Sequence, residues 1–326
     1  MNNKNVFIKK FVTLIYCICL IGMSNAQVTE PESTLKEQKT DTTLGWKNGA
    51  TIGLSLTQVS LTNWAAGGQN SISGNGILST FAHYSQEKML WENYLDVGYG
   101  TIKQGKNASW WKTDDRIELT SKYGRKISSK FYYAGLLSVK TQMAPGYNYP
   151  DDSTLISDLL SPGYLVGAIG IDYKPQENLT AFFAPATAKM TYVNNQNLAN
   201  QGAFGVEPAT YDENGNLISE GEKLRSEFGG YLRLHYQKKL MENINLKTKL
   251  DLFSNYLDNP QNIDVNWEVL IAMKINEYFS ATLSTTLLYD HDIDIAIDSN
   301  DDGVTDKSAP KTQFKEVLSV GFSYDF

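Results

Sequence analysis

The sequence predicts an all-β protein: a transmembrane antiparallel β-barrel of about twelve strands with both termini in the periplasm. Three observations predict it. Apolar residues recur with period two from Trp46 onward, which is the periodicity of a strand and not of a helix. The runs exceed the ~9 to 11 residues that an oblique strand needs to cross a bilayer. The connections between them alternate between short and long, as they do when one rim of a barrel carries turns and the other carries loops.

The chain is 326 residues long and opens on Lys4, Lys9 and Lys10, followed by an apolar run from Phe11 to Met23 and the small residues Ser24 and Ala26. That order is the pattern of a secretory signal peptide over residues 1–26. Both cysteines, Cys17 and Cys19, fall inside it, and neither follows the small residue of a lipoprotein signal. The exported chain therefore has no disulfide, thiolate zinc site or cysteine nucleophile. Removing three lysines and no acid takes the formal charge from −7 to −10, which argues against nucleic acid as a partner. Residues 27–45 are polar and read as a flexible periplasmic leader, and 46–326 as the barrel. No stretch after the signal approaches the ~18 consecutive apolar residues of a membrane helix, so any crossing is made by strands.

The clearest run places Trp91, Asn93, Leu95, Val97 and Tyr99 on one face and Glu92, Tyr94, Asp96, Gly98 and Gly100 on the other. Comparable runs occupy 48–61, 71–85, 89–102, 114–126, 131–142, 161–174, 179–193, 223–238, 243–257, 263–275, 278–290 and 312–326. The short connections are 86–88, 127–130, 175–178, 239–242 and 276–277. The long ones are 62–70, 103–113, 143–160, 194–222 and 291–311, with 258–262 a modest exception. The closing run "FKEVLSVGFSYDF" turns Phe314, Leu318, Val320, Phe322, Tyr324 and Phe326 to one side. Its expected role is to pair with the first strand and so remove both sheet edges. The terminal aromatic resembles the signal by which the barrel-assembly machinery recognises its clients. Trp46, Trp91, Tyr99, Tyr173, Tyr278, Phe279 and Tyr324 fall near strand ends, where an aromatic girdle belongs, although aromatics favour any strand.

Several segments resemble a Bacteroidota outer-membrane family known only as domain of unknown function 3078. They are "TNWAAGGQNSISGNG" (62–76), "WENYLDVGYG" (91–100), "KTDDRIELTSKYG" (112–124), "FYYAGLLSVKTQ" (131–142), "TKLDLFSNYLDNPQNIDVNWEVLIAMKIN" (248–276) and the closing run. The resemblance implies the outer membrane of a Gram-negative bacterium and brings no activity and no catalytic residues.

The inward parity of the strands carries Glu92, Asp96, Arg116, Glu118, Lys122, Lys140, Arg225, Glu227, Arg233, Lys247, Lys249, Asp251, Glu268 and Lys274. These side chains either line a water-filled pore that selects small polar solutes or plug a narrow lumen with salt bridges, and twelve strands fit both outcomes. The expected function is accordingly a channel or binding barrel for small polar solutes, with a non-conducting structural or surface-adhesion barrel as the alternative.

In "DSNDDGVTD", Asp298, Asn300, Asp302 and Asp306 with Gly303 have the alternate spacing of a calcium loop. The position of the bidentate glutamate holds Ala309, so a solvated acidic loop is the competing reading.

Enzymatic readings are thin. The mature chain holds only His83, His235 and His291, and His235 shares its parity with Arg225 and Arg233. An omptin-like aspartyl protease would draw on Asp290, His291 and Asp292 with Asp114, Asp115, Asp151 and Asp152 at the outer rim. Acidic pairs in loops are more commonly solvated, and no wider motif accompanies them. Trp110 and Trp111, with Trp64, offer a glycan platform or, more simply, interfacial anchors.

Overall fold

A computed structural model describes residues 44–61, 69–105, 108–276, 279–297 and 307–325. Twelve long antiparallel strands form one closed ring, each paired with its neighbours in sequence and the last with the first. In chain order they are β1 (Gly45–Val59), β2 (Ser71–Gln86), β3 (Met89–Gln104), β4 (Trp111–Lys126), β5 (Phe131–Thr141) and β6 (Gly163–Gln176). The ring continues through β7 (Leu179–Tyr192), β8 (Leu224–Met241), β9 (Ile244–Asn255), β10 (Ile263–Lys274), β11 (Phe279–Tyr289) and β12 (Gln313–Asp325). The predicted runs coincide with these strands to within three residues at every end.

One rim is made of tight turns. Gln86 pairs with Met89 across Glu87 and Lys88, and Met241 pairs with Ile244 across Glu242 and Asn243. At the other rim the connections lengthen, and those between β5 and β6, β7 and β8, and β11 and β12 carry small elements that periodicity does not foresee. These are the hairpins Gly146–Tyr147 with Leu155–Ser157, Thr210–Tyr211 with Leu217–Ser219, and Asp294–Ile297 with Lys307–Pro310, and the helix α1 (Gln196–Asn200). The described strands β1 and β12 begin and end, respectively, at the turn rim, and the seam pairs Thr51–Leu54 with Phe322–Asp325.

The side-chain alternation follows the sequence. On β3, Glu92, Tyr94 and Asp96 are buried within the barrel while Trp91 and Tyr99 are exposed outside. The exterior is apolar around the ring: Leu54 and Leu56 on β1, Tyr133 and Leu137 on β5, Ile169 on β6, and Phe314, Leu318 and Val320 on β12 are all exposed. Glu316 interrupts the β12 row near the loop end. Soluble proteins rarely leave an apolar surface of this extent uncovered.

A bulge in β7 breaks the strict alternation. Ile169 and Ile171 of β6 face Ala186 and Phe183, so β7 holds one extra residue in the stretch around Pro185, which has no N–H to give to the ladder. Before the bulge Thr180, Phe182 and Ala184 point inward; after it Thr187 and Thr191 do. The strands also approach closely here, because a Cβ at Gly170 would run into the Phe183 carbonyl oxygen. Gly170→Val is therefore expected to destabilise the barrel by about 1–3 kcal/mol through overpacking. Gly167→Val, whose Cβ meets nothing within 4 Å, leaves stability nearly unchanged. Urea unfolding of the micelle-folded barrel, followed by gel mobility with and without heating, compares the two.

Candidate solute site in the barrel lumen

The inward charges are arranged in three groups along the barrel. Nearest the turn rim, Lys122 of β4 bridges Asp172 of β6 at 2.9 Å and Glu92 of β3 at 3.2 Å. Lys174 of β6 donates to both oxygens of Glu92 at 3.0 Å and lies 3.6 Å from Asp172. All four are buried, with two charges of each sign, so the desolvation cost of each is offset by its partners. His83 lies inward beside this group, packed on Phe81 and Tyr94 at 5.0 Å.

An apolar layer lines one side of the lumen, on β5 to β9. Phe182, Tyr231 and Phe253 meet Leu136, Ala134, Ala168 and Ala184 in one buried cluster. Charges rest on its rim: Arg233 forks onto Asp251 at 2.7 and 2.9 Å and lies over the Tyr231 ring, and Lys249 pairs with Glu268 at 2.9 Å. A fork with two parallel N–H···O bonds holds both planes in one orientation.

The third group lies at the loop end. Lys189 of β7 reaches Asp264 at 2.7 Å, Asp290 at 3.2 Å and Glu227 at 3.4 Å. Arg225 reaches Glu227 at 2.8 Å and Asp292 at 3.2 Å. The β7–β8 loop folds over them. Asn195 caps α1 by accepting from the Asn197 and Leu198 backbone N–H groups, and Leu198 and Ala199 bury against Val193 and Val206. Gly205, at φ +77°, is then pressed against Arg225 so closely that a Cβ would collide with the guanidinium. Between this loop and the inner wall of the barrel lies a cavity of about 1340 Å³. Lys140, Lys189, Arg233, Lys249, Asp251 and Asp290 are among the charges on its wall, and Tyr231 and Phe253 line it as well.

The predicted lumen residues sort unevenly over this architecture. Glu92 and Lys122 join the turn-side cluster, and Asp96, buried beside it on β3, accepts from Ser79 at 2.7 Å. Glu118 and Lys140 line the cavity, while Arg225, Glu227, Arg233, Lys249, Asp251 and Glu268 form the pairs just described. Arg116 and Lys247 are half-buried on the inward faces of β4 and β9, and Lys274 is exposed at the turn-side end of β10. Asp172, Lys174, Lys189 and Asp264 were not among the predicted set. The first two follow from continuing the inward parity of β6. Lys189 is hidden from any strict period-two reading by the Pro185 bulge.

The residues of the protease reading are engaged otherwise. Asp115 accepts from Lys112 and from the Met143 and Ala144 backbone N–H groups, and Asp290 and Asp292 face Lys189 and Arg225. His291 pairs through Nδ1 with the Tyr289 hydroxyl at 3.0 Å. Asp151 closes its own turn, and hydrogen bonds from Ser153 and Thr154 hold its carboxyl down to about 2. Asp152 accepts from Ser109. Trp111 stacks on Tyr149 of the β5–β6 loop at 5.4 Å, while Trp110 is exposed. The calcium residues Asp298, Asn300, Asp302 and Asp306, and Trp64 and Tyr278, lie outside the described residues. Among the described residues no cluster of His, Cys, Asp and Glu could hold a metal ion.

Residues 56–147 match the model of the family described as protein of unknown function (DUF3078), the family that the sequence segments resemble. No curated protein matches the chain. Among solved structures, an outer membrane channel from Pseudomonas putida F1 aligns with a TM-score of 0.40 and 11% identity over 90% of this chain and 100% of that one. The NanC porin aligns at 0.36 and 6% over 84% and 98%, and the translocator domain of the autotransporter NalP from Neisseria meningitidis at 0.35 and 10% over 88% and 91%.

Lys174→Met leaves Glu92 and Asp172 buried with one cation between them, and is expected to cost about 3–5 kcal/mol. Adding Glu92→Gln leaves Lys122 and Asp172 as a balanced pair and should return more than half of that loss. Unfolding midpoints of the two variants in micelles check the order.

Proposed function

We propose that this chain is an outer-membrane β-barrel of a Gram-negative bacterium, with its turns in the periplasm, that takes a small polar solute into the cavity at its loop end. The membrane address is supported by the closed ring, the alternating connection lengths and the uncovered apolar exterior. One observation carries the solute reading: the cavity wall holds charges of both signs with aromatic rings among them, which is a surface for a polar guest. Among the described residues seven carboxylates (Glu118, Glu207, Asp251, Asp264, Asp290, Asp292 and Asp294) stand there against four cations (Lys140, Lys189, Arg233 and Lys249), so the favoured guest is zwitterionic or carries net positive charge. Binding rather than bond cleavage is the role we assign, because the carboxylates nearest His291 are committed to Lys189 and Arg225.

The filled turn-side half of the lumen favours a second reading, a barrel that does not conduct and serves structure or adhesion. Planar-bilayer recording of the purified barrel under a salt gradient separates the two. We expect a measurable current with a cation-selective reversal potential. Asp290→Asn with Asp292→Asn should move that potential toward zero. Absence of current in the wild type, and in a variant with Phe182→Ala and Tyr231→Ala that opens the apolar layer, would favour the structural barrel.

A further inference from the structure

On the outer wall near the turn rim, Trp46 of β1, Tyr84 of β2, Trp91 of β3 and Tyr123 of β4 are successive cross-strand partners on one row. With Met89 they enclose an exterior cleft of about 560 Å³. Trp46 tilts against both Tyr84 and Trp91, at 5.1 and 5.8 Å between ring centroids. The polar ends of two walls are already satisfied: Trp91 Nε1 donates to Ser121 Oγ at 2.9 Å, and the Tyr84 hydroxyl accepts from Gln86 at 2.7 Å. The cleft therefore presents ring faces and carbon, although Trp46 and Tyr123 remain about half exposed.

Its turn-side edge is basic. Arg125 lies directly across from Met89 and one step beyond Tyr123 on the same outward face. The β2–β3 and β4–β5 turns touch, since the Lys126 backbone N–H donates to the Lys88 carbonyl at 2.8 Å. Lys88, Arg125, Lys126 and Lys130 are all exposed along this stretch, and among the described residues there Glu87 is the one acid. Aromatic rings settle at the level where hydrocarbon meets headgroup, and a guanidinium or ammonium just outside that level meets phosphate oxygens.

We propose that this cleft is a binding site for one anionic phospholipid of the leaflet at the turn rim. An acyl chain lies along the Trp46–Trp91 groove, and the headgroup phosphate is taken by Arg125 and Lys88. Charge selects the lipid: four cations against one acid favour a headgroup with net negative charge over a zwitterionic one. The inference rests on the membrane reading above, and the test keeps the two apart.

The purified full chain is inserted into vesicles of phosphatidylcholine containing phosphatidylglycerol, extracted gently, and its retained lipids are counted by native mass spectrometry. Retained phosphatidylglycerol is expected to exceed phosphatidylcholine. Arg125→Gln with Lys88→Gln should lower its retention roughly tenfold. Lys238→Gln with Lys239→Gln, which removes equal charge from the turn end of β8 away from the aromatic row, should leave retention unchanged. Equal retention of both lipids, or equal loss in both double variants, overturns the site and leaves only a general basic rim. Failure of the wild type to insert into vesicles at all overturns the membrane reading and the site together.

Discussion

A sheet that curls through twelve strands must end by pairing its last strand with its first, and here that closure is made by Thr51–Leu54 against Phe322–Asp325. Everything else depends on it. An open edge would leave a row of N–H and C=O groups without partners, which costs several kcal/mol per group where no water can reach. The need to meet the starting strand antiparallel also fixes an even number of strands and brings both described ends to the turn rim. Leu54 and Phe322 meet across the seam with both side chains outward, so the apolar exterior continues over the join.

Closure then decides what happens to charge. Once the outer faces are apolar over most of their length, the strands carry most of their Lys, Arg, Asp and Glu on the inner face, and the lumen collects residues far apart in sequence. Glu92 and Lys174 are 82 residues apart and share two hydrogen bonds. In so narrow a space an unpaired charge is costly, and pairing is the rule at the turn-side half: two cations and two carboxylates there form one balanced cluster. The apolar layer of Phe182, Tyr231 and Phe253 is the complementary solution, since it packs one side of the lumen without bringing in more charge to be satisfied.

The strands were legible because a barrel strand is long and two-sided, so its alternation persists over enough residues to fix both span and inward face. Glu92 against Trp91, or Arg233 against Leu232, can be assigned from spacing alone. Where the ladder is irregular, spacing fails: the extra residue around Pro185 moves the inward positions from even to odd numbers, and Lys189, a principal cation of the loop-end group, is lost to the reading. Pro185 itself was the available signal, because a proline inside a long strand marks a bulge or an edge. The loop elements were less accessible. The helix Gln196–Asn200 is too short for any period to show, and it holds its shape through the Asn195 cap and the burial of Leu198 and Ala199. Which charges pair was also beyond the sequence, since partners such as Lys189 and Asp290 meet only after the ring closes.

The two halves of the lumen differ for a reason that follows from connection length. At the turn rim adjacent strands are held by connections of a few residues, so inward side chains are fixed in number and position and can balance one another. At the loop rim long connections fold back over the mouth and add groups from outside the barrel, such as Gly205 against Arg225 and Asp292 beside the same guanidinium. Asp290 and Asp292 lie just beyond the end of β11 and are brought to Lys189 and Arg225 by the path of that loop. The result is a surplus of carboxylates among the described residues of the cavity wall, whereas the turn-side cluster is neutral. The same ring thus combines a charged cavity under the loops with a balanced, buried ion cluster at the turn side.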